Sequence, residues 1–276
     1  MCGICLQVHS KIESFEGALS IETLASMSGF SRRNFQLYFR SFTNDTVGQY
    51  IKRLRLERGL QLAKSGNWTN AEIAYKIGYA NTAAYNNALK KDFGKTPREM
   101  NVELRSKQRF YEGHWEEPEL IELPETPVLY LSFTGDYDTL SSAAFEEKSW
   151  DELYQLADSK DLLPSEVDYW GICFNDTDIT DESQCRFYAC LSIKSLAKTK
   201  RMDKIKSMTI PSGLYASFRH VGPYEELNAF YNSILQNLPE HYMLGSGAIL
   251  ERYLNSPVDT CEVMLQTEVL LPVIKC

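Results

Sequence analysis

Two similar stretches of sequence, offset by 49 residues within the segment Ile21–Pro97, are the feature that most limits how this chain can fold. Ala25 corresponds to Ala74 and Gly29 corresponds to Gly78, with the same separation in both pairs. Each copy has the pattern of a short helix, a turn at the glycine, where a positive φ is easiest, and a second helix with basic residues. This pattern predicts two helix-turn-helix units in tandem, the kind of unit that places its second helix in the major groove of DNA.

The second helix of each copy combines a buried stripe with a polar surface. Phe35, Phe39 and Phe42 recur at helical spacing in the first copy. Ser31 and Asn81 stand where each second helix would take its N-cap. One such unit alone would also fit a structural helical hairpin, but the repetition and the basic faces favour DNA binding. The predicted DNA-binding residues are Arg32, Arg33, Gln36, Leu37 and Arg40 in the first copy and Thr82, Asn86, Asn87, Lys90 and Lys91 in the second.

Residues of roughly 5 to 101 resemble the DNA-binding domain of the AraC/XylS family of transcription regulators. The resemblance rests on Leu24-Ala25, Gly29-Phe30-Ser31, Phe39-Arg40, the linking helix from Tyr50 to Glu57, the run from Ile73 to Tyr79, and Phe93-Gly94-Lys95-Thr96-Pro97. It implies a domain of seven helices in which a long helix joins the two units. It also implies that promoter DNA is bound through helices at Arg32–Phe42 and Thr82–Asp92.

Three positions depart from the family pattern. Leu37 and Asn87 stand where the family often has Arg, and a bidentate Arg–guanine contact is worth roughly 1–3 kcal/mol of discrimination. Asn87 suits adenine instead, and Leu37 suits a thymine methyl group. Asn44 replaces the usual Gly after the first recognition helix, which an Asn in the left-handed region permits. The usual operator preference of the family is therefore not transferred to this chain.

The charge is divided unevenly along the chain. Residues 1–105 contain 15 Lys and Arg against 9 Asp and Glu, a net of +6, whereas the remainder has 14 against 28, a net of −14. Because phosphate contacts need local cations, the overall charge of −8 does not exclude nucleic acid binding. The acidic half favours solubility and in addition attracts cationic ligands.

Cysteine usage and hydropathy indicate a cytoplasmic protein. No apolar run reaches the roughly 18–20 residues of a membrane span, which predicts no membrane association, and no secretory pattern precedes Lys11. The seven cysteines, an odd number, suit a reducing compartment. Cys2 and Cys5 form a Cys-x-x-Cys without a second pair, and the four histidines lack ligand spacing. We therefore expect no metal site and no cofactor.

A change of pattern near residues 106–126 predicts a second domain. That segment is acidic, contains two prolines and has no helical period. After it, strands and helices alternate in two similar rounds, which predicts an α+β domain with internal duplication. The predicted organisation is multidomain α and α+β: an all-α tandem helix-turn-helix domain over residues 1–105, a linker over 106–126, and a duplicated βαββ domain over 127–276.

The second domain resembles the GyrI-like small-molecule-binding domain found in some AraC-type regulators and multidrug-responsive activators. The matching residues are the run from Tyr215 to Leu227 with Gly222-Pro223-Tyr224, the run Leu250-Glu251-Arg252-Tyr253-Leu254-Asn255-Ser256-Pro257, and the run from Thr267 to Pro272. The resemblance implies a duplicated βαββ fold with a ligand groove between its halves. In drug-binding members the groove is aromatic and has a buried carboxylate that faces cationic ligands.

Glu268 is the predicted groove carboxylate. It lies on one face of a closing strand whose other face, with Val269 and Leu271, is apolar by period 2. A lone carboxylate in such a strand is costly unless it is paired or hydrated, so a solvated position or a pair with Arg252 is the alternative. Aromatic walls are typical of small-ligand pockets. The predicted ligand-binding residues are Trp170, Tyr188, Phe218, Tyr224, Tyr253 and Glu268.

Together these features predict a ligand-responsive transcription regulator that is not an enzyme. Its expected partners are double-stranded promoter DNA, a small lipophilic effector that can be cationic, and RNA polymerase. Two alternatives stay open at this point. Some GyrI-like domains hydrolyse reactive compounds, and a Glu268 carboxylate whose pKa is raised by burial would suit a general base. The second alternative is a module that only sequesters ligands and has no regulatory output.

Overall fold

A computed structural model describes most of the chain as two compact units, Met1–Ser106 and Lys107–Cys276. Across the described helices, none has both the length and the apolar character that crossing a membrane requires. The described residues are 21–43, 46–64, 66, 68–106, 116–135, 149–181, 185–196, 204–245 and 247–275.

The described part of the first unit is helical. Its helices are α1 (Ile21–Met27), α2 (Arg32–Thr43), α3 (Val47–Lys64), α4 (Asn70–Lys76), α5 (Thr82–Phe93) and α6 (Pro97–Ser106). The pairs α1–α2 and α4–α5 are the two predicted helix-turn-helix units, and α3 is the long helix between them. Any helix before Ile21 lies outside the described residues.

The two turns have the same backbone geometry, which confirms the repeat. The amide of Phe30 donates to the carbonyl of Ala25 at 3.0 Å, and the amide of Tyr79 donates to the carbonyl of Ala74 at 2.9 Å. Gly29 and Gly78 have φ values of 67° and 79°. A side chain with a Cβ is strained in this region, so both turns require glycine or a tolerant residue.

The predicted caps and stripes are present. Asn81 Oδ1 accepts a hydrogen bond from the amide of Ala84 at 2.9 Å, and Ser31 Oγ accepts one from the amide of Asn34 at 3.3 Å. Such caps satisfy amides that the first helical turn leaves unpaired. Phe35 is buried, and so are Phe39, Tyr85 and Leu89. The side chain of Phe42 falls outside the described part of the structure.

In its described residues, the second unit is a sheet with two α-helices on one side. Its strands run in the order β1-β6-β9-β8-β3-β4-β2-β5, with β7 paired to β9, and all these pairings are antiparallel. The elements are β1 (Glu119–Leu123), β2 (Thr126–Thr134), α7 (Ser149–Ser159), β3 (Tyr169–Cys173), β4 (Arg186–Ser192), β5 (Lys206–Ile210), β6 (Gly213–Val221), α8 (Leu227–Ile234), β7 (Tyr242–Leu244), β8 (Ile249–Tyr253) and β9 (Gln266–Lys275).

The strand order shows the predicted internal duplication. The set β6-β9-β8 on one side of the sheet corresponds to β2-β4-β3 on the other, so β8 and β3 meet at an approximate two-fold axis. Asn175 Oδ1 accepts from the amide of Arg186 at 3.1 Å, and Asn255 Oδ1 accepts from the amide of Gln266 at 2.8 Å. Asn255 lies 80 positions after Asn175, and Gln266 lies 80 positions after Arg186. The same offset relates Gly171 to Glu251, which are direct register partners across the axis.

Each face of the sheet has its own set of side chains. The helix-side face is covered by α7 and α8, and its core residues include Ala189, Phe218 and Val269. The far face is the opposite one, and it carries Trp170 and Leu270. Both faces bury most of their central side chains.

Residues 119–123 differ from the predicted linker over 106–126. They form β1, which pairs with β6 along five residues at the edge of the sheet. Glu119 and Glu122 are exposed, as is usual where a charged edge strand discourages further pairing. Those same charges, between two prolines, give the strand the composition of a linker.

Candidate functional site

The surface of α2 carries the side chains predicted to bind DNA in the first unit. Arg33 and Arg40 are exposed, and so is Leu37, with 62% of its side chain accessible. Arg32 forms an ion pair with Glu22 on α1 at 2.6 Å. Gln36 is exposed as well. An accessible leucine among cations has no packing role here, which leaves it available for contact with a base.

The corresponding surface of α5 is less basic. Asn87, Lys90 and Lys91 are exposed, whereas Thr82 and Asn86 are half-buried. The left-handed Gly94, with φ of 71°, ends this helix. The α5 helix therefore presents one exposed side-chain amide, that of Asn87, and two cations, Lys90 and Lys91.

The predicted ligand-binding residues separate onto the two faces of the sheet. Phe218 and Tyr253 lie on the helix-side face, and Tyr224 packs against Tyr253 from the 3-10 helix before α8. Trp170 and Tyr188 lie on the far face, as does Glu268. The six residues therefore do not form one pocket wall.

Glu268 is paired with a cation on the far face. Arg252 Nε donates to Glu268 Oε2 at 2.6 Å, and a second guanidinium nitrogen also contacts that oxygen. The guanidinium lies over the indole ring of Trp170 at 5.5 Å from its centroid. The pair with Arg252 was one of the alternatives that the sequence left open for this carboxylate.

A second carboxylate, Glu251, lies on the helix-side face at the two-fold axis. Tyr231 of α8 donates a hydrogen bond to Oε1, and Tyr253 donates one to Oε2. Cys173 Sγ donates to Oε1 at 3.5 Å. Over the described part of the chain no Lys, Arg or His side chain forms an ion pair with Glu251. Among the described residues, the charge of Glu251 is therefore compensated by hydrogen bonds.

Gly171 makes room for this group. A Cβ at Gly171 would lie 2.6 Å from Tyr253 Oη, 2.7 Å from Phe187 Cε2 and 2.9 Å from Glu251 Oε2. Real Cβ atoms do not approach so closely, so any larger residue here would displace the carboxylate or the tyrosine.

Burial raises the pKa of Glu251 above its ordinary value, although its three hydrogen bonds oppose that shift. Burial also raises the pKa values of Tyr231 and Tyr253, and the carboxylate adds to both shifts. Both hydroxyls therefore stay protonated and remain donors. A buried carboxylate with a raised pKa gains from a nearby positive charge, because the cation stabilises its ionised form.

Aromatic rings surround this carboxylate. The Trp150 ring of α7 meets the Tyr253 ring edge-on at a centroid distance of 5.4 Å, and Tyr224 does so at 5.6 Å. The ligand site predicted from the sequence does not include Glu251. It also lacks three of its neighbours, Trp150, Tyr231 and Cys173. The signal for Glu251 is the alternation Ile249, Glu251, Tyr253, which places the carboxylate on the same strand face as two apolar side chains.

The sequence profile of the GyrI-like small molecule binding domain matches residues 116–274, and that of a helix-turn-helix domain matches residues 24–101. YkgA of Escherichia coli (strain K12), which carries the name of an HTH-type transcriptional regulator, is 31% identical over 147 residues. The match covers 49% of this chain and 59% of YkgA, less than two thirds of that relative's length.

Two further relatives cover different parts of the chain. The regulatory protein SoxS of Salmonella typhimurium is 28% identical over 92 residues, which is 33% of this chain and 86% of SoxS. The EcmrR chain in a cryo-EM structure of an EcmrR–DNA complex has a TM-score of 0.49 and 15% identity, with 93% of this chain and 99% of that chain covered. Since the small-molecule-binding profile alone spans more than half of the residues, the chain belongs to the GyrI-like small-molecule-binding family, with an AraC-type helix-turn-helix domain preceding that domain.

Proposed function

We propose that this chain is a transcription regulator whose DNA binding, or whose recruitment of RNA polymerase, is controlled by a small lipophilic cation. The observation that carries the proposal is the buried carboxylate of Glu251, which has hydrogen-bond donors and aromatic neighbours but no cationic partner among the described residues. It occurs in a chain that also carries two helix-turn-helix units. A ligand site and a DNA-binding domain in one chain are the minimum that such a regulator needs.

DNA binding is supported by the exposed surfaces of α2 and α5. Both recognition helices begin at a capped turn of the same geometry, so their N-terminal ends are presented in the same way. Two such helices contact two successive turns of the major groove, with half-sites about 10 bp apart. The bound DNA should show this spacing, and its affinity should fall steeply with salt.

Substitution of Asn87 by Ala should relax base preference at one position of one half-site by roughly 1–3 kcal/mol. The reason is that the exposed Asn87 amide suits the N6 and N7 edge of adenine. Arg33→Ala is the matched control, because a phosphate contact carries no base information and its loss weakens all sequences evenly. Affinities for a set of single-base operator variants measure both effects. An Asn87→Ala protein with unchanged selectivity would show that α5 does not read bases.

The ligand side is supported by the chemistry of the Glu251 site. The carboxylate is enclosed by three donors, so a ligand has to displace at least one of them. Tyr231 of α8 is half-buried as a residue, whereas Cys173 and Tyr253 are buried. A lipophilic cation that replaces the Tyr231 hydroxyl would meet the negative charge and the faces of the aromatic rings together.

The experiment that tests the proposal measures DNA affinity with and without a cationic probe. Genomic fragments that the purified chain retains supply the operator, and tetraphenylphosphonium serves as the probe. We expect tetraphenylphosphonium to change either the affinity for that operator or the transcription that purified RNA polymerase initiates from it. A chain that binds the cation without either change would be a sequestering module instead.

We also propose that the chain is a binding protein and not an enzyme. The relatives that match it carry the names of transcription regulators. The hydrolase alternative predicts turnover of reactive esters or strained rings that is lost in a Glu251→Gln or a Glu268→Gln chain. Absence of turnover across such a panel, with ligand-dependent transcription, is the expected result.

A further inference from the structure

The thiol of Cys173 has a neighbourhood unlike that of the other described cysteines. Its Sγ lies 3.5 Å from Glu251 Oε1 and 3.9 Å from Tyr231 Oη. The side chain stands at the end of β3 on the helix-side face, two residues after the glycine that faces Glu251. A nucleophile, a base and a hydroxyl donor are thus within mutual reach, which is the arrangement that nucleophilic addition requires.

We propose that Cys173 is a covalent acceptor for soft electrophiles of the α,β-unsaturated carbonyl class, with Glu251 as the base and the Tyr231 hydroxyl as the donor to the carbonyl oxygen. The inference deepens the ligand site described above, and its regulatory meaning rests on the proposed function. The covalent chemistry itself does not depend on DNA binding.

The addition consumes only the thiol and the electrophile. Glu251 takes the proton from Cys173 Sγ, and the sulfur electron pair forms a bond to the β-carbon of the electrophile. The C=C electron pair moves toward the carbonyl oxygen, and the resulting enolate accepts a hydrogen bond from Tyr231 Oη. The proton held by Glu251 then passes to the α-carbon. The product is a thioether, and Glu251 is an ionised carboxylate again.

The Cys173 thiol is selective for electrophiles bound at this site, because it stays protonated until Glu251 removes its proton. Burial raises the pKa of Cys173 well above its ordinary value, and the Glu251 charge adds to the shift. The thiol is therefore neutral at pH 7 and reacts only if its proton is removed. Burial raises the pKa of Glu251 as well, which makes this carboxylate a stronger base than an exposed one.

The remaining described cysteines lack this arrangement and serve as internal references. Cys190 is buried on the far face and donates to the carbonyl of Tyr188 at 3.5 Å. Cys185 is buried and donates to the carbonyl of Thr180 at 3.8 Å. Cys261 is exposed. The chain thus offers two buried thiols that donate to backbone carbonyls and one exposed thiol as references.

The test measures the labelling rate of each cysteine in the full chain. N-ethylmaleimide is the probe, and peptide mass spectrometry follows the modification. In the wild-type chain we expect Cys173 to react at least tenfold faster than Cys185 and Cys190, with Cys261 as the accessible reference. Glu251→Gln should slow Cys173 at least tenfold and leave Cys261 unchanged. Equal rates for Cys173 and Cys190, or an unchanged Cys173 rate in Glu251→Gln, would overturn the proposal.

Two readouts keep the test decisive if Glu251→Gln does not fold. Unfolding is recognised when Cys190 reacts as fast as Cys261. The wild-type pH profile then decides, because a thiol without a base gains about tenfold in rate per pH unit below its pKa. A base-assisted Cys173 should instead reach a plateau once Glu251 is ionised, and a tenfold rise per unit at Cys173 up to pH 9 would refute the role of Glu251. Labelling that succeeds while tetraphenylphosphonium leaves DNA binding and transcription unaffected would refute only the proposed function.

Discussion

A Glu251→Gln chain should bind tetraphenylphosphonium at least about 30-fold more weakly than the wild-type chain, because removal of one partner of a buried charge pair costs about 2–5 kcal/mol. The amide keeps the size of the carboxylate and still accepts one tyrosine hydrogen bond, so the loss reports the charge. Triphenylphosphine oxide, a neutral molecule of similar shape, should bind both chains within about threefold. Isothermal titration of the two chains with the two probes measures the difference.

Glu268→Gln is the matched control on the opposite face of the same sheet. Since Arg252 already neutralises Glu268, the substitution should change tetraphenylphosphonium affinity by less than about threefold, although it leaves a half-buried guanidinium without its carboxylate. The sequence-based prediction that Glu268 is the ligand carboxylate requires the reverse order of effects. A larger loss in Glu268→Gln than in Glu251→Gln would therefore place the site on the far face.

Gly171→Ala should destabilise the second domain and weaken the cation binding that we propose for it. The new methyl group would lie within 3 Å of Tyr253 Oη, Phe187 Cε2 and Glu251 Oε2. Overpacking of this kind typically costs about 1–3 kcal/mol. Because the displaced groups are the carboxylate and one of its donors, tetraphenylphosphonium affinity should fall at least about tenfold, which corresponds to about 1.4 kcal/mol. Thermal unfolding and titration of the full chain measure the two effects.

Gly213→Ala is the control for this substitution in the same domain. A Cβ at Gly213 would have an ordinary contact of 3.4 Å with the Tyr215 ring, so stability and affinity should stay close to those of the wild-type chain. If Gly171→Ala behaves like Gly213→Ala, the carboxylate has room to move and the site is less rigid than the close approach at Gly171 implies.

The first domain was predictable from sequence because its determinants are local. A cap such as Asn81 acts on an amide three residues away, and a turn such as Gly78 needs only its own backbone conformation. The repeat doubled each of these signals. The duplicated βαββ organisation of the second domain was predictable for a related reason, since its two halves repeat the same order of elements.

The position of the proposed ligand carboxylate was harder to predict, because it depends on which face of the sheet the helices cover. The alternation of side chains along β8 places Leu250 and Arg252 on one face of the sheet and Glu251 on the other. Because both faces of β8 are buried, hydropathy does not identify which of them the helices cover. Donors from α8 and β3 are distant in sequence from Glu251. The edge strand β1 was missed for a simpler reason, since its exposed glutamates resemble those of a linker.

The two-fold relation between the halves of the sheet determines how much charge its centre can hold. Gly171 and Glu251 are equivalent positions that face each other. Two identical halves associating as separate chains would place the same residue at both positions. If that residue were Glu, the two carboxylates would lie within about 5 Å of each other and suppress each other's ionisation. If it were Gly, neither position would carry a charge. An odd number of negative charges at this pair of positions is open only to halves that differ in sequence, as the two halves of this chain do.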